Sequence, residues 1–362
     1  MPGMKRKLCV WCLVVAVIVS IYMLAQQVNI TMSTAIFLSS QLEEVRHIGF
    51  LKVHKAASST MQNIFFRFGL KRNLTFVFTN HPNYFSRTVS QHLPLKMPRF
   101  RGDHDILCTH GIFNIQTYGS VLPKDATYIA IVREPLEQFV SSINYYSQPS
   151  SQLPYISVIP GNKLTALIRN PKFDKGFFSY TKNSMARDFG ISISTNQETI
   201  AAKLTELNSI FKLVLLVEYF EESLILLKRY FKWKLVDILF ISTNVHSKEG
   251  WSKKDLTPDD IAKFKHRNWL DYYVYDHFYE EFWRKFRFEL LDIHMEVLYF
   301  KRVLERLASF CRAGNDSVER SLEVETSTWD AGFRVHREEC DLMLKNELDF
   351  ISVLRQKQGS EL

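Results

Sequence analysis

Four short, nearly unbroken apolar runs constrain this chain more than any other feature: "HIGFLKV" at 47–53, "ILCTHGIF" at 106–113, "ATYIAIV" at 126–132 and "FKLVLLV" at 211–217. Three of them open into helix-like segments: 60–69, "LEQFVSSINYYS" after "REP", and "YFEESLILLKRYF". Strands without polar alternation are buried on both faces, and strands alternating with helices pair in parallel. The expectation is an α/β fold, a parallel central sheet covered by helices. From 257 onward the pattern turns helical. Thr257 stands as an N-cap, Pro258 follows at the first helical position, and acids fill the first turn. The aromatic stretch "WLDYYVYDHFYEEFWRKF" is expected to pack as core, with sugar gripping or membrane docking as alternatives. Residues 145–185 read as a long loop with one short helix.

The 362 residues, 46% hydrophobic and 23% charged, suit one large globular domain or two small ones. The net charge of +8 comes from 46 basic and 38 acidic residues. It favours an anionic ligand or a membrane surface. No block of five like charges occurs, which argues against a nucleic-acid tail.

"MKRK" at 4–7 precedes the uncharged apolar run "LCVWCLVVAVIVSIYMLA" at 8–25. Such a run is just long enough to span a bilayer, and the basic flank keeps the N-terminus cytoplasmic. The predicted organisation is a cytoplasmic tail (1–7), a transmembrane signal anchor (8–25), a stem (26–45), a luminal domain (46–311) and a C-terminal segment (312–362). A cleaved signal peptide is the competing reading. Sequons at Asn29, Asn73 and Asn315 fit a luminal chain.

Cys9 and Cys12 fall in the membrane run. Of the other three, Cys108 lies in an apolar strand and is expected as a buried free thiol. Cys311 and Cys340, in the polar C-terminal part, are expected to pair.

The turn "KVHKAASST" at 52–60 places Lys52, His54 and Lys55 ahead of very small residues, between a strand and a helix. A helix N-terminus presents unpaired N–H groups and a positive dipole end. Ala57 lets an anion approach, and Ser58, Ser59 and Thr60 add hydroxyls, with Lys52 and Lys55 as mobile charge. The turn is expected to cradle phosphate or sulfate. It lacks the G-x-x-x-x-G-K-[ST] pattern of nucleoside triphosphatases. After the strand "TYIAIV" come Arg133, then Pro135 at a helix start, then Ser141 two turns on. An arginine fork and a hydroxyl at that spacing suit a second phosphate. One ligand with two separated anionic groups fits both elements.

"FLKVHKAASST" followed by "IAIVREPLEQFVSSINYY" resembles the two donor motifs of Golgi sulfotransferases, and the galactose 3-O-sulfotransferase family most closely. "NSMARDFG" at 183–190, "FKLVLLVEYFEESLILLKRYFKW" at 211–233 and "HGIFN" at 110–114 are similar to that family as well. The likeness runs from about residue 47 to 311. It implies a P-loop-like sulfotransferase fold, 3′-phosphoadenosine 5′-phosphosulfate (PAPS) as donor, and transfer to the 3-hydroxyl of terminal β-galactose on glycoproteins or glycolipids. It implies a single-pass type II Golgi protein partnered by a galactose-terminated glycan and the membrane, with no nucleic acid. A homodimer stays open. Lys52, Lys55, Ala57, Ser58, Ser59 and Thr60 would form the 5′-phosphosulfate loop, and Arg133 with Ser141 the 3′-phosphate site. Ala56 departs from the family's threonine. Alternatives are a sulfotransferase for a uronic acid or hexosamine, or an inactive glycan-binding membrane protein.

Sulfuryl transfer to a hydroxyl needs a base, and histidine is suited near neutral pH. His54 and His110 are both candidates, with His54 favoured. Lys55 is expected on the leaving-group side. Asp103, His104, Asp105 and His110 could be taken for a metal cluster, but Asp103, His104 and Asp105 crowd a predicted turn and are read as solvated polar residues, and this chemistry needs no metal.

Overall fold

The computed structural model describes residues 19–23, 44–79, 81, 83–86, 104–148, 154–174, 181–192, 196–242, 250–289, 292–313 and 320–359. The chain divides into two units, Met1–Glu44 and Val45–Leu362. In the first, residues 19–23 are helical. Most of the 8–25 run and of the 26–45 stem, Asn29, Asn315 and Asp103 lie outside the described residues. Among those described, no helix is long and apolar enough to cross a membrane.

The second unit is built on a four-stranded parallel sheet of β1 (Ile48–Leu51), β3 (Ile106–Leu107), β5 (Thr127–Val132) and β6 (Phe211–Leu216), in the order β3-β1-β5-β6. Leu51 sits beside Ala130, and Ala130 beside Val214. Ile48, Phe50, Ile129, Ile131, Leu213 and Leu215 are wholly buried, as strands covered on both faces require. The expected α/β class with a parallel central sheet is therefore observed.

This order carries the functional logic. After β1 the chain crosses to β3 on one side, then returns to β5 on the other. The crossovers split at β1, and open sheets of this kind bind their ligands outside the C-terminal ends of the strands at such a point. Three segments identified in the sequence leave from those ends: the 52–60 turn from β1, His110 just beyond β3, and Arg133 from β5.

"ILCTHGIF" divides in two. Ile106–Leu107 joins the main sheet, whereas His110–Gly111 (β4) pairs in parallel with Tyr84–Ser86 (β2). Helix α1 (Ser58–Arg72) follows β1 and buries Met61, Ile64, Phe65 and Phe68. Helix α2 (Pro135–Tyr146) follows β5. The 145–185 segment holds more helix than expected, at Pro154–Ser157 and Lys163–Arg169 besides α3 (Ser184–Asp188). Asn162 caps the Lys163 helix, and Leu164 and Leu167 pack with Leu136, Val140 and Phe264 in a second, smaller core. Seven residues are too few for a helical period to stand out.

Helix α4 (Phe220–Phe231) covers the sheet after β6. The aromatic stretch forms α5 (Trp269–Phe288), whose Leu270, Val274, Phe278, Phe282 and Phe286 recur every fourth residue as one buried ladder. Helix α6 (Asp292–Arg312) follows. The C-terminal part also contains an antiparallel hairpin, β7 (Ser321–Val324) with β8 (Phe333–His336), where mostly helix was expected. It ends in α7 (Arg337–Leu344) and α8 (Glu347–Gln358). Cys311 is disulfide-bonded to Cys340, and Cys108 is a buried free thiol. Asn73 is exposed at the C-terminal cap of α1.

Candidate active site

The turn from β1 into α1 is bent by two residues in the left-handed region, Lys55 at φ 58° and Ala57 at φ 50°. Ala57 is the N-cap of α1, and no side chain among the described residues caps that terminus. Ser58 lies beneath the turn and donates its hydroxyl to the Val53 carbonyl at 2.7 Å. The turn is thus held from below, while its helix terminus keeps the dipole and N–H groups an anion needs.

Lys55 is half-buried, its Nζ 3.9 Å from the centre of the Tyr145 ring. Burial, then Arg133 and Lys52, push its ammonium down to about 8, with Glu347 opposing. Arg133 reaches the same turn and donates to the Lys55 carbonyl at 3.4 Å. Gln138 donates to the His54 carbonyl at 2.6 Å. Since Gln138 and Tyr145 of α2 both touch the turn, Ser141 lies on that face between them, three and four residues away. The two anion elements of the sequence therefore converge.

Lys52 behaves differently from the expected mobile charge. It is 0% exposed, with Nζ 2.7 Å from Glu347 Oε1 and donating to Gln62 Oε1 at 2.7 Å. Its side chain leaves the strand on the inner face, where an ammonium needs a fixed counter-charge. The Ser59 hydroxyl donates to Glu347 Oε2 at 2.6 Å. Thr60 is half-buried in the first turn of α1.

His54 and His110 stack, with ring centroids 4.1 Å apart and planes inclined by 17°. His110 Nδ1 lies 2.9 Å from the Lys52 carbonyl, so it donates there and Nε2 carries the lone pair. Burial, then His54 and Lys52, hold the His110 imidazolium well below its usual range, and the ring is neutral. His54 faces a carboxylate: Asp188 Oδ2 lies 2.8 Å from Nδ1 and accepts from the His54 backbone N–H at 2.9 Å. Burial pushes the Asp188 carboxyl up, but His54 and Arg187 outweigh it and the net shift is downward, so Asp188 is ionised. A carboxylate on Nδ1 fixes the tautomer that leaves Nε2 as acceptor, the arrangement of a base with its orienting group.

Asp188 is the functional residue that motif reading passed over, though "NSMARDFG" contains it. Its helix, α3, is fixed from behind. Ala186 N donates to Asp271 Oδ1 at 2.7 Å, and Asn183 N to Asn268 at 2.9 Å. Burial pushes the Asp271 carboxyl up to about 7. Gly190 closes the motif at φ 75°, where a Cβ would stand 2.7 Å from the Phe113 carbonyl oxygen. Only glycine lets this segment lie so close to the end of β4.

Among the described residues, no group of three His, Cys, Asp or Glu side chains is placed to hold a metal. Asp105 accepts instead from the backbone and hydroxyl of Thr75 at 2.7 and 2.8 Å.

A parallel sheet with a cation-rich strand–helix turn, an arginine leaving the next strand and an aspartate-backed histidine at its switch point has the chemistry of an anion-binding, group-transfer class of site. The galactose-3-O-sulfotransferase family model matches residues 3–330. The chain belongs to that family. Human galactosylceramide sulfotransferase is 32% identical over 287 residues, covering 76% of this chain and 66% of that protein. Mouse galactose-3-O-sulfotransferase 3 is 30% identical over 295 residues, covering 77% and 66%. Mouse galactose-3-O-sulfotransferase 2 is 33% identical over 264 residues, covering 68% and 64%. The chain thus spans slightly less than two thirds of the length of these relatives.

Proposed function

We propose that this protein transfers a sulfuryl group from PAPS to the 3-hydroxyl of a terminal β-galactose on a glycoprotein or glycolipid glycan. The observation that carries the reading is the His54–Asp188 pair, stacked on His110 and set between two converging cationic elements. The turn fits the donor. Burial, then the positive charge of Arg133 and Lys52, depresses Lys55, and α1 opens onto this group with no side-chain cap among the described residues. Lys55, Ser58, Ser59, Thr60 and the α1 terminus would hold the phosphosulfate end, and Arg133 with Ser141 the other phosphate.

When bound, the donor supplies an activated sulfur–oxygen bond. The chain supplies the rest. His54 Nε2 takes the proton of the acceptor hydroxyl, and Asp188 stabilises the imidazolium that forms. His110, neutral and stacked on His54, cannot share that charge at 4.1 Å and acts as a spacer and acceptor. Lys55 and the α1 dipole meet the negative charge on the leaving phosphate. The names of the human and mouse relatives support galactose as the acceptor sugar. The apolar run 8–25 behind "MKRK" supports a type II membrane anchor and a luminal, Golgi placement.

The test is incubation of the full chain with sulfur-labelled PAPS and a panel of β-galactosides, including 3-deoxygalactosides. Label on the 3-hydroxyl only is expected, and transfer to 3-deoxygalactosides would refute the regiochemistry. Retained turnover in His54→Ala with loss in His110→Ala would move the base to His110.

A further inference from the structure

Glu347 lies beyond residue 330, outside the part that the family model matches, yet its carboxylate is in the donor turn. One oxygen pairs with the Lys52 ammonium at 2.7 Å and the other accepts from the Ser59 hydroxyl at 2.6 Å. We propose that Glu347 is a positioning residue of the donor turn, so that the C-terminal segment completes a site whose motifs all lie elsewhere. This inference rests on reading that turn as the donor site.

The geometry is specific. Lys52 is fully buried, and the amide of Gln62 cannot balance its charge. Lys52 is held at both ends. Glu347 grips its Nζ, and His110 Nδ1 donates to its carbonyl. A shift of the Lys52 side chain therefore reaches the base pair as well as the cradle. The helix that carries Glu347 is itself anchored. Phe76 N donates to Gln358 of α8 at 2.9 Å, and the preceding α7 is held to α1, where Asn63 donates to the Leu342 carbonyl at 2.9 Å and Lys71 pairs with Glu339 at 2.6 Å. The Cys311–Cys340 disulfide ties α7 to the end of α6.

A carboxylate beside an anion site also repels the anion. Two effects then compete. The repulsion acts through a carboxylate that is 24% exposed and already paired with Lys52, whereas removing the counter-charge leaves a fully buried ammonium alone. The second is larger, so loss of Glu347 weakens donor binding.

The experiment measures the Kd of adenosine 3′,5′-bisphosphate by calorimetry on the full chain in detergent, for wild type, Glu347→Ala and Glu347→Gln. Binding by Glu347→Ala is expected to fall about 10- to 100-fold, as when an outer partner of a ligand site is lost. Glu347→Gln, which keeps the shape and an acceptor oxygen, should fall between, and it carries the test if the alanine variant does not fold. The alkaline limb of kcat/KM, which reports the free enzyme, should also move to lower pH, because Glu347 opposes Lys52 and Arg133 at Lys55. A tighter Kd in the variants would make Glu347 an internal competitor and overturn the proposal. So would a lowered melting temperature with Kd and pH limb unchanged, which is a structural role only. Failure of the wild type itself to bind removes the donor reading and this inference together, so the two failures are told apart.

Discussion

Replacing Asp188 by asparagine isolates the charge behind His54. Asparagine has nearly the same shape, and its oxygen can still accept from both His54 nitrogens, now at 2.8 and 2.9 Å from Asp188 Oδ2. What disappears is the negative charge. A hydrogen bond to a charged group is worth about 1.5–3 kcal/mol against about 0.5–1.5 for a neutral one, a loss of roughly 1–2 kcal/mol. Full attraction between unit charges 4 Å apart adds about 4 kcal/mol at an effective dielectric of 20. Only part of that is felt while the proton is in flight. The transition state should lose about 1.5–4 kcal/mol, or about 10- to 10³-fold in kcat. The carboxylate touches neither Arg133 nor Lys55, so the Kd for adenosine 3′,5′-bisphosphate should stay within about twofold. Steady-state turnover with labelled donor, calorimetry and circular dichroism together decide the matter. A folded Asp188→Asn protein with kcat within threefold of wild type would refute the dyad. A collapse of nucleotide affinity would show that Asp188 instead supports the turn.

Arg133→Ala should raise the donor KM more than it lowers kcat, because a phosphate that does not react is bound nearly equally in ground and transition states. Equal losses in both would refute it. Burial and neighbouring cations bring Lys55 down to about 8 in the free protein, so kcat/KM for the donor should fall above that pH, and Lys55→Arg, which stays charged, should flatten the limb. An identical limb in both proteins would exclude Lys55. Asp271 holds its proton more tightly folded than unfolded, so the stability it contributes is present below about pH 4 and lost as pH rises through about 7. Denaturant titrations should therefore show Asp271→Asn gaining on wild type between about pH 4 and about pH 7, by at most about 4 kcal/mol. A pH-independent difference would refute the buried-acid reading.

The sequence made the main sheet legible because its strands are continuous apolar runs, and that pattern has few other solutions. The donor turn was legible because charge, small residues and hydroxyls coincide there. Other features depend on long-range contacts. His110 belongs to an apolar run that reads as one strand, but it opens the short strand β4 rather than ending β3, and that split of "ILCTHGIF" depends on pairing with Tyr84–Ser86. Asp188 sits 134 residues from His54, in a five-residue helix with no period to mark it. The burial of Lys52 could not be inferred from a turn rich in cations, since its counter-charge comes from a helix nearly three hundred residues later. The β7–β8 hairpin escaped because its four-residue strands bury only Leu322 and Val324 in one and Val335 in the other.

The left-handed Ala57 has a consequence for how this protein can change over time. A side chain at positive φ costs about 1–2 kcal/mol, and glycine there would relieve it. Glycine would also give the unfolded chain more freedom, worth about 0.4–1 kcal/mol in the opposite direction. The balance is about 0–1.6 kcal/mol in favour of glycine, so Ala57→Gly would leave the fold no less stable. What it would remove is the rigidity that holds the α1 terminus ready. Drift at this position would therefore pass unnoticed through any screen or selection that watches folding alone, and would register only in turnover.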